Sequence, residues 1–154
     1  MTPRTLYSRI ALAEMITWAL LIGSMVLKYT NVTDVATRIA GGIHGFTFLC
    51  FCVITVMLWV NNKWPADRSV LGLLSSIIPF ATLPFEKSTE AAGLLRGPWR
   101  FYGPAAETPK TFPERVLSLI VNRPILAAII VIVGVTVVFL ILLSLGNPVE
   151  WFKN

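Results

Sequence analysis

Apolar residues dominate four stretches of the chain, 8–28, 39–60, 69–86 and 124–145. A helix needs roughly 20 such residues to cross the ~30 Å hydrocarbon core of a bilayer, and each stretch meets or approaches that length. The polar runs between the first three, YTNVTDVATR and NNKWPADR, have the length of short helix connections. Asn31-Val32-Thr33 fits a glycosylation sequon but reads more simply as a turn. The pattern predicts an all-α membrane protein: an antiparallel bundle of three transmembrane helices over 1–90, an interfacial segment over 91–123, and a fourth transmembrane helix with its tail over 124–154.

The third stretch, SVLGLLSSIIPFATLPFE, contains Pro79 and Pro84, each of which removes a backbone donor. Its far half is expected to bend or unwind and to face protein rather than lipid, because hydrocarbon leaves freed backbone groups without partners. Four further prolines between 87 and 123 forbid one continuous helix there. In ERVLSLIVNR, however, Arg115, Ser118 and Asn122 fall on one side and Val116, Leu117, Ile120 and Val121 on the other, the period of an amphipathic helix on a membrane surface. Pro124 suits the first turn of the last span, Gly146-Asn147-Pro148 its stop, and Trp151, Phe152 and Lys153 an interfacial anchor.

Composition agrees: 55% of the residues are hydrophobic and only 14% charged, against ~25% charged in soluble domains. Arg4 and Arg9 ahead of an apolar run resemble a signal peptide, but Glu14 interrupts the run and no small-residue cleavage site follows. The net charge of +5 is scattered over the connections rather than gathered on a face, which points to lipid headgroups and not to nucleic acid. Cys50 and Cys52 point to nearly opposite sides of a helix and cannot pair with each other. Four spans would put both termini on one side, and the basic residues of the short connections favour the cytoplasmic side of a bacterial plasma membrane.

Candidate chemistry is sparse. Ionisable groups inside spans are costly and therefore single themselves out, and here they are Glu14, His44 and, near a helix end, Glu86. Counting 1.5 Å per residue from the terminal side places Glu14 at ~9 Å, His44 at ~22 Å and Glu86 at ~26 Å. His44, the only histidine, is thus expected near Glu86, Lys28 and Arg38 and away from Glu14. Gly41 and Gly45 form a GxxxG pattern that would admit a second backbone beside it. A neutral, hydrogen-bonded ring that fixes helix contacts is the plainest role for His44, ahead of a proton relay and of a lipid or quinone headgroup contact. One histidine without partners gives neither a metal nor a haem site, and no cofactor is expected. The loop LLRGPWRFYGP interleaves Arg96 and Arg100 with Trp99 and Tyr102, as an interfacial docking surface would. No nucleophile elbow, phosphate loop or redox cysteine pair is present, so an enzyme is not expected.

Three segments, AEMITWALLIGSMVLKY at 13–29, IHGFTFL at 43–49 and IIPFATLPFEK at 77–87, resemble a family of small bacterial integral membrane proteins of unknown function found in actinobacteria and bacilli. The resemblance covers about residues 5–90 and rests on Ala13-Glu14, Leu27-Lys28-Tyr29, His44-Gly45, Pro79-Phe80 and Glu86-Lys87. The chain departs from that pattern at Ala81, where a glycine is frequent, and at Pro84. The resemblance implies the fold of the first three spans and no activity. With an actinobacterial host implied, the expected role is a non-catalytic accessory subunit bound to larger integral membrane subunits, a respiratory supercomplex being the reasonable assembly. The alternatives are an oligomeric transporter or channel component using Glu14, His44 and Glu86, and a quinone- or lipid-binding module.

Overall fold

A computed structural model describes residues 1–144, which form six helices and no strand: α1 (Pro3–Tyr29), α2 (Val35–Asn62), α3 (Ala66–Ser75), α4 (Thr82–Ala91), α5 (Phe112–Asn122) and α6 (Pro124–Ser144). The Gly146-Asn147-Pro148 stop and the Trp151, Phe152 and Lys153 anchor lie outside the described residues. Among the described residues three helices are long and apolar enough to cross a membrane, α1, α2 and Pro124–Leu142 within α6. The chain is an all-α membrane protein.

The third apolar stretch is not a spanning helix. Ten residues of α3 rise only ~15 Å, half a bilayer core, and so do those of α4. The two fold back on each other across residues 76–81: the ring of Phe85 lies against Gly72, and Arg68 donates to Ser88 while its guanidinium sits 4.9 Å above the Phe85 ring. Gly72 permits this close approach, since a Cβ there would stand 3.1 Å from both Phe85 and Thr55 of α2 and one of those side chains would have to give by a few tenths of an ångström. Pro79 lies in the break. Pro84, expected to kink a helix, instead occupies the first turn of α4, where a missing N–H leaves no acceptor wanting. The break does not turn wholly towards protein either. Ser76 and Thr82 are buried, whereas Ile77, Ile78 and Phe80 stand exposed, their apolar side chains suited to acyl chains.

Rungs of polar contact fix the hairpin to the spans. Arg4 pairs with Glu90, Ser8 donates to Glu86, and the Thr82 hydroxyl donates to the Ala11 carbonyl at 3.2 Å, so α4 descends antiparallel to α1. The hairpin therefore enters and leaves on the side of Met1. The following segment, 92–111, closes that end of the bundle. Leu95 and Phe101 are buried, and the core cluster of Tyr7, Ala11, Phe51, Leu58 and Trp64 sits directly beneath. α6 then rises beside α2, with Phe139 against Gly42 and Gly45. Of the expected GxxxG pair, Gly45 thus meets an aromatic side chain and Gly41 the side chain of Leu21 of α1, neither a second backbone.

With three helices long and apolar enough to cross, Met1 and Ser144 lie at opposite ends of the bundle, whereas four spans would bring both ends to one side. Among the described residues every lysine and arginine except Lys28 and Arg38 lies at or near the Met1 end. In a background without native cysteines, single cysteines at Lys63 and Arg96 are expected to react with an impermeant maleimide from one side of the membrane and a cysteine at Asn31 from the other. Labelling of Arg96 together with Asn31 would restore the third crossing.

Candidate functional site

The buried residues of α1, Pro3, Tyr7, Ala11, Glu14, Thr17 and Ser24, recur at spacings of three, four and seven, one seam along the helix. Glu14 occupies the middle of it, ~16 Å from the first residue of a ~40 Å helix. α2 lies antiparallel against this seam. Its register is set by Thr55 beside Tyr7 and by Thr37, whose hydroxyl donates to the Ser24 carbonyl at 2.9 Å. That register carries His44 to the level of Thr17 and Glu14.

The result is a polar cluster at mid-membrane depth beside the break of the hairpin. Nδ1 of His44 is 3.8 Å from Oε1 of Glu14 and 3.2 Å from the Thr17 hydroxyl, which itself donates to the Glu14 carbonyl at 2.9 Å. The imidazole packs on the indole of Trp18 with ring centres 4.3 Å apart, and that indole N–H donates to the Ser76 carbonyl at 3.3 Å. Glu14 is completely buried, and neither carboxyl oxygen receives a hydrogen bond.

The sequence-derived candidates are therefore regrouped. His44 joins Glu14, from which it was expected to be separate, because α2 begins four residues earlier than its apolar run and extends past the foot of α1. Glu86 is nowhere near His44: it bonds Ser8 at the Met1 end. Lys28 lies at the far end with Arg38, lining with Asp34, Thr37, Gly41, Gly42 and Phe139 a cleft of about 520 Å³. Thr17, Trp18 and Ser76 escaped sequence reasoning. The first two could have been found, since they follow Glu14 by three and four residues and share its face; Ser76 could not, as its place depends on the hairpin.

The expected docking loop also divides. Arg96 and Tyr102 are exposed, but Trp99 turns inward and donates to the Met1 carbonyl at 2.9 Å. Arg100 is not a surface group either. Its guanidinium donates to the carbonyls of Val60 at 2.7 Å and Asn61 at 2.5 Å, orphan acceptors at the C-terminus of α2, and bonds Glu107 and Glu114 at 3.0 and 3.1 Å. Asn61 and Asn62 complete the closure, accepting from or donating to the backbone of Arg100, Pro98 and Leu94, and Trp64 donates to Leu94 at 2.8 Å. Among the described residues no group of acidic, histidine and cysteine side chains is arranged to hold a metal ion.

Glu114 closes a capping box at the start of α5, accepting from the backbone N–H groups of Lys110 and Thr111 at 2.9 and 3.1 Å. These donors, with Arg100, hold its carboxyl down to about 2 from an ordinary value of 4.5. A depressed carboxyl stabilises the fold above its ordinary value, and that contribution disappears as the pH falls from 4.5 towards 2. The melting temperature of the purified protein is expected to drop over this window. Glu114→Gln should lower the neutral value and flatten the drop; an unchanged pH profile would show that the contact adds nothing. Arg100→Ala, which leaves the α2 carbonyls without their donors, is expected to cost on the order of 2–3 kcal/mol, and Arg100→Lys to restore only part.

Comparison with known proteins agrees with the membrane fold and gives no activity. Residues 4–91 match the family described as a domain of unknown function, DUF3817. A membrane protein of Streptomyces coelicolor, SCO5905, is 35% identical over 94 residues, 60% of this chain and 11% of its own length. The uncharacterized membrane protein YdzA of Bacillus subtilis is 28% identical over 68 residues, 44% of this chain and 71% of its own. The chain thus spans about a tenth of the first relative. No solved structure matches. The matched residues take in α1, α2 and the whole α3–α4 hairpin, with Glu14, His44 and Glu86 among them, and the chain belongs to the DUF3817 family of uncharacterised bacterial membrane proteins.

Proposed function

We propose that this protein is a non-catalytic accessory subunit that packs sideways against larger integral membrane proteins of the bacterial plasma membrane. The observation that carries the reading is a groove of about 690 Å³ between α2, α3 and α5, lined by Phe48, Val53, Met57, Leu73, Ile77, Leu117 and similar apolar side chains. The groove is open on one side and offers almost no polar group, so only hydrocarbon or an apolar helix suits it. The polar groups in the membrane-embedded part of the bundle are, by contrast, turned inwards. The concentration of lysine and arginine near Met1 supports a cytoplasmic location for that end. A respiratory supercomplex is the host to test first, in keeping with the actinobacterial relative.

The transporter reading draws on Glu14, an acid without hydrogen-bond partners beside a broken helix, as in transporter sites. Against it, the pair with His44 is enclosed, and Glu86 stands apart on Ser8, ~9 Å lower along α1. A quinone- or lipid-binding module would use the same apolar groove. Purification of the tagged protein in mild detergent distinguishes them. Larger membrane subunits are expected in fixed ratio with it, and Val56→Trp, which fills the groove, is expected to release them. Recovery of the protein alone, as monomer or homo-oligomer, would contradict the accessory role, and recovery with a quinone or lipid instead would favour the binding module.

A further inference from the structure

Beyond any role in assembly, we infer that Glu14 and His44 form a proton-binding site in the middle of the membrane, one proton being held jointly by carboxyl Oε1 and imidazole Nδ1.

The geometry leaves the carboxyl group with few choices. It is fully buried, its two oxygens have no donor, and the hydroxyl nearest in sequence, that of Thr17, is directed to the Glu14 carbonyl. A bare carboxylate in such surroundings lacks both solvation and a counter-charge. The groups that face it are few. From α2 come His44 and the thiol of Cys52, which also lies 3.9 Å from the Ser76 hydroxyl; from the hairpin no charged side chain reaches it, the nearest acid, Glu86, being bonded to Ser8. Among the described residues His44 is the one basic group beside it, 3.8 Å away.

One proton satisfies both groups. With it on the carboxyl, the O–H faces Nδ1 as acceptor, both partners are neutral, and the Thr17 hydroxyl keeps only its bond to the Glu14 backbone carbonyl; moved to Nδ1, it leaves a carboxylate beside an imidazolium whose N–H also faces the Thr17 oxygen at 3.2 Å, and the charge of the pair stays zero. Without the proton the carboxylate has no counter-charge, a neutral imidazole offering it one N–H at most. With a second proton the imidazolium has no counter-ion. The 3.8 Å separation is about 1 Å beyond a hydrogen bond, and sharing the proton requires the two side chains to close that distance. A low-dielectric interior penalises the charged arrangement, so the neutral one is the resting state. Because Trp18 both packs on the imidazole and holds the Ser76 carbonyl, the proton is held where the hairpin meets α1.

A single histidine in the chain makes the test direct. In phospholipid vesicles at pH ~7, the infrared spectrum of the whole protein should contain the carbonyl stretch of one protonated carboxylic acid. Glu14→Gln should remove it, Glu14→Asp should shift it, and Glu86→Gln should leave it. Nitrogen spectra of [¹⁵N]histidine-labelled protein should show a neutral His44 whose Nδ1 signal changes in Glu14→Gln and which does not titrate between pH ~5 and ~8, the range in which an isolated ring does. Absence of the acid band from the parent protein would overturn the proposal without recourse to a variant. So would its survival in Glu14→Gln, or a His44 signal identical in parent and Glu14→Gln.

Discussion

The constraint on which this fold depends is that a chain broken inside hydrocarbon must find partners for the backbone groups the break sets free. Water supplies them at a surface; in a bilayer only protein can. Here the break at 76–81 is placed against α1 and α2, and its polar groups meet theirs. The indole of Trp18 donates to the Ser76 carbonyl, the Thr82 hydroxyl to that of Ala11, and Ser75 and Ser76 donate back to Gly72 and Leu73 at 2.7 Å. The side chains left to the lipid, Ile77, Ile78 and Phe80, are apolar. Unwinding and placement are one event, since neither α3 nor α4 could stand in the bilayer without the spans beside it.

The same reasoning explains why the polar residues of this chain are concentrated where they are. A half-depth hairpin returns its end to the side it came from, so the following twenty residues must close the base of the bundle instead of crossing. They do so by supplying donors to the exposed end of α2: Arg100 covers the last carbonyls, and Asn61, Asn62 and Trp64 bind the loop backbone in return. Helix ends in this region are thereby satisfied from within, and the outward surface can remain apolar. The proposed accessory role rests on what that surface meets, and the inferred proton site on the one enclosed acid–base pair seen among the described residues, Glu14 with His44.

Much of this could be read from the chain itself, and the failures have physical causes. Three spans, the turn at Asn31 and the amphipathic α5 follow from hydropathy and period alone. Residues 69–86 have the length and composition of a span, and those properties cannot tell a crossing from a return. The distinction lies in Gly72 accepting Phe85 and in Arg68 reaching Ser88, contacts between residues 13 and 20 positions apart that no local period encodes. The pairing of Glu14 with His44 is hidden from the sequence for a smaller reason. Apolar runs mark where hydrocarbon begins and not where a helix does: α2 continues through Val35 and Thr37, and the register follows from Thr37 on Ser24. Pro84 shows that a proline in an apolar run can begin a helix as readily as bend one.

The depth of the hairpin tip tests the account most directly. A nitroxide at position 78, in protein reconstituted into phospholipid vesicles, reports its depth through the ratio of collisions with dissolved oxygen, which favours hydrocarbon, to those with a water-soluble nickel complex. The account requires a value matching the centre of the bilayer, near that of a label at position 20 on the lipid-facing side of α1. A label at 78 with the nickel accessibility of one at position 31, on the far connection, would mean that the chain crosses the membrane there, and the half-depth hairpin would be wrong.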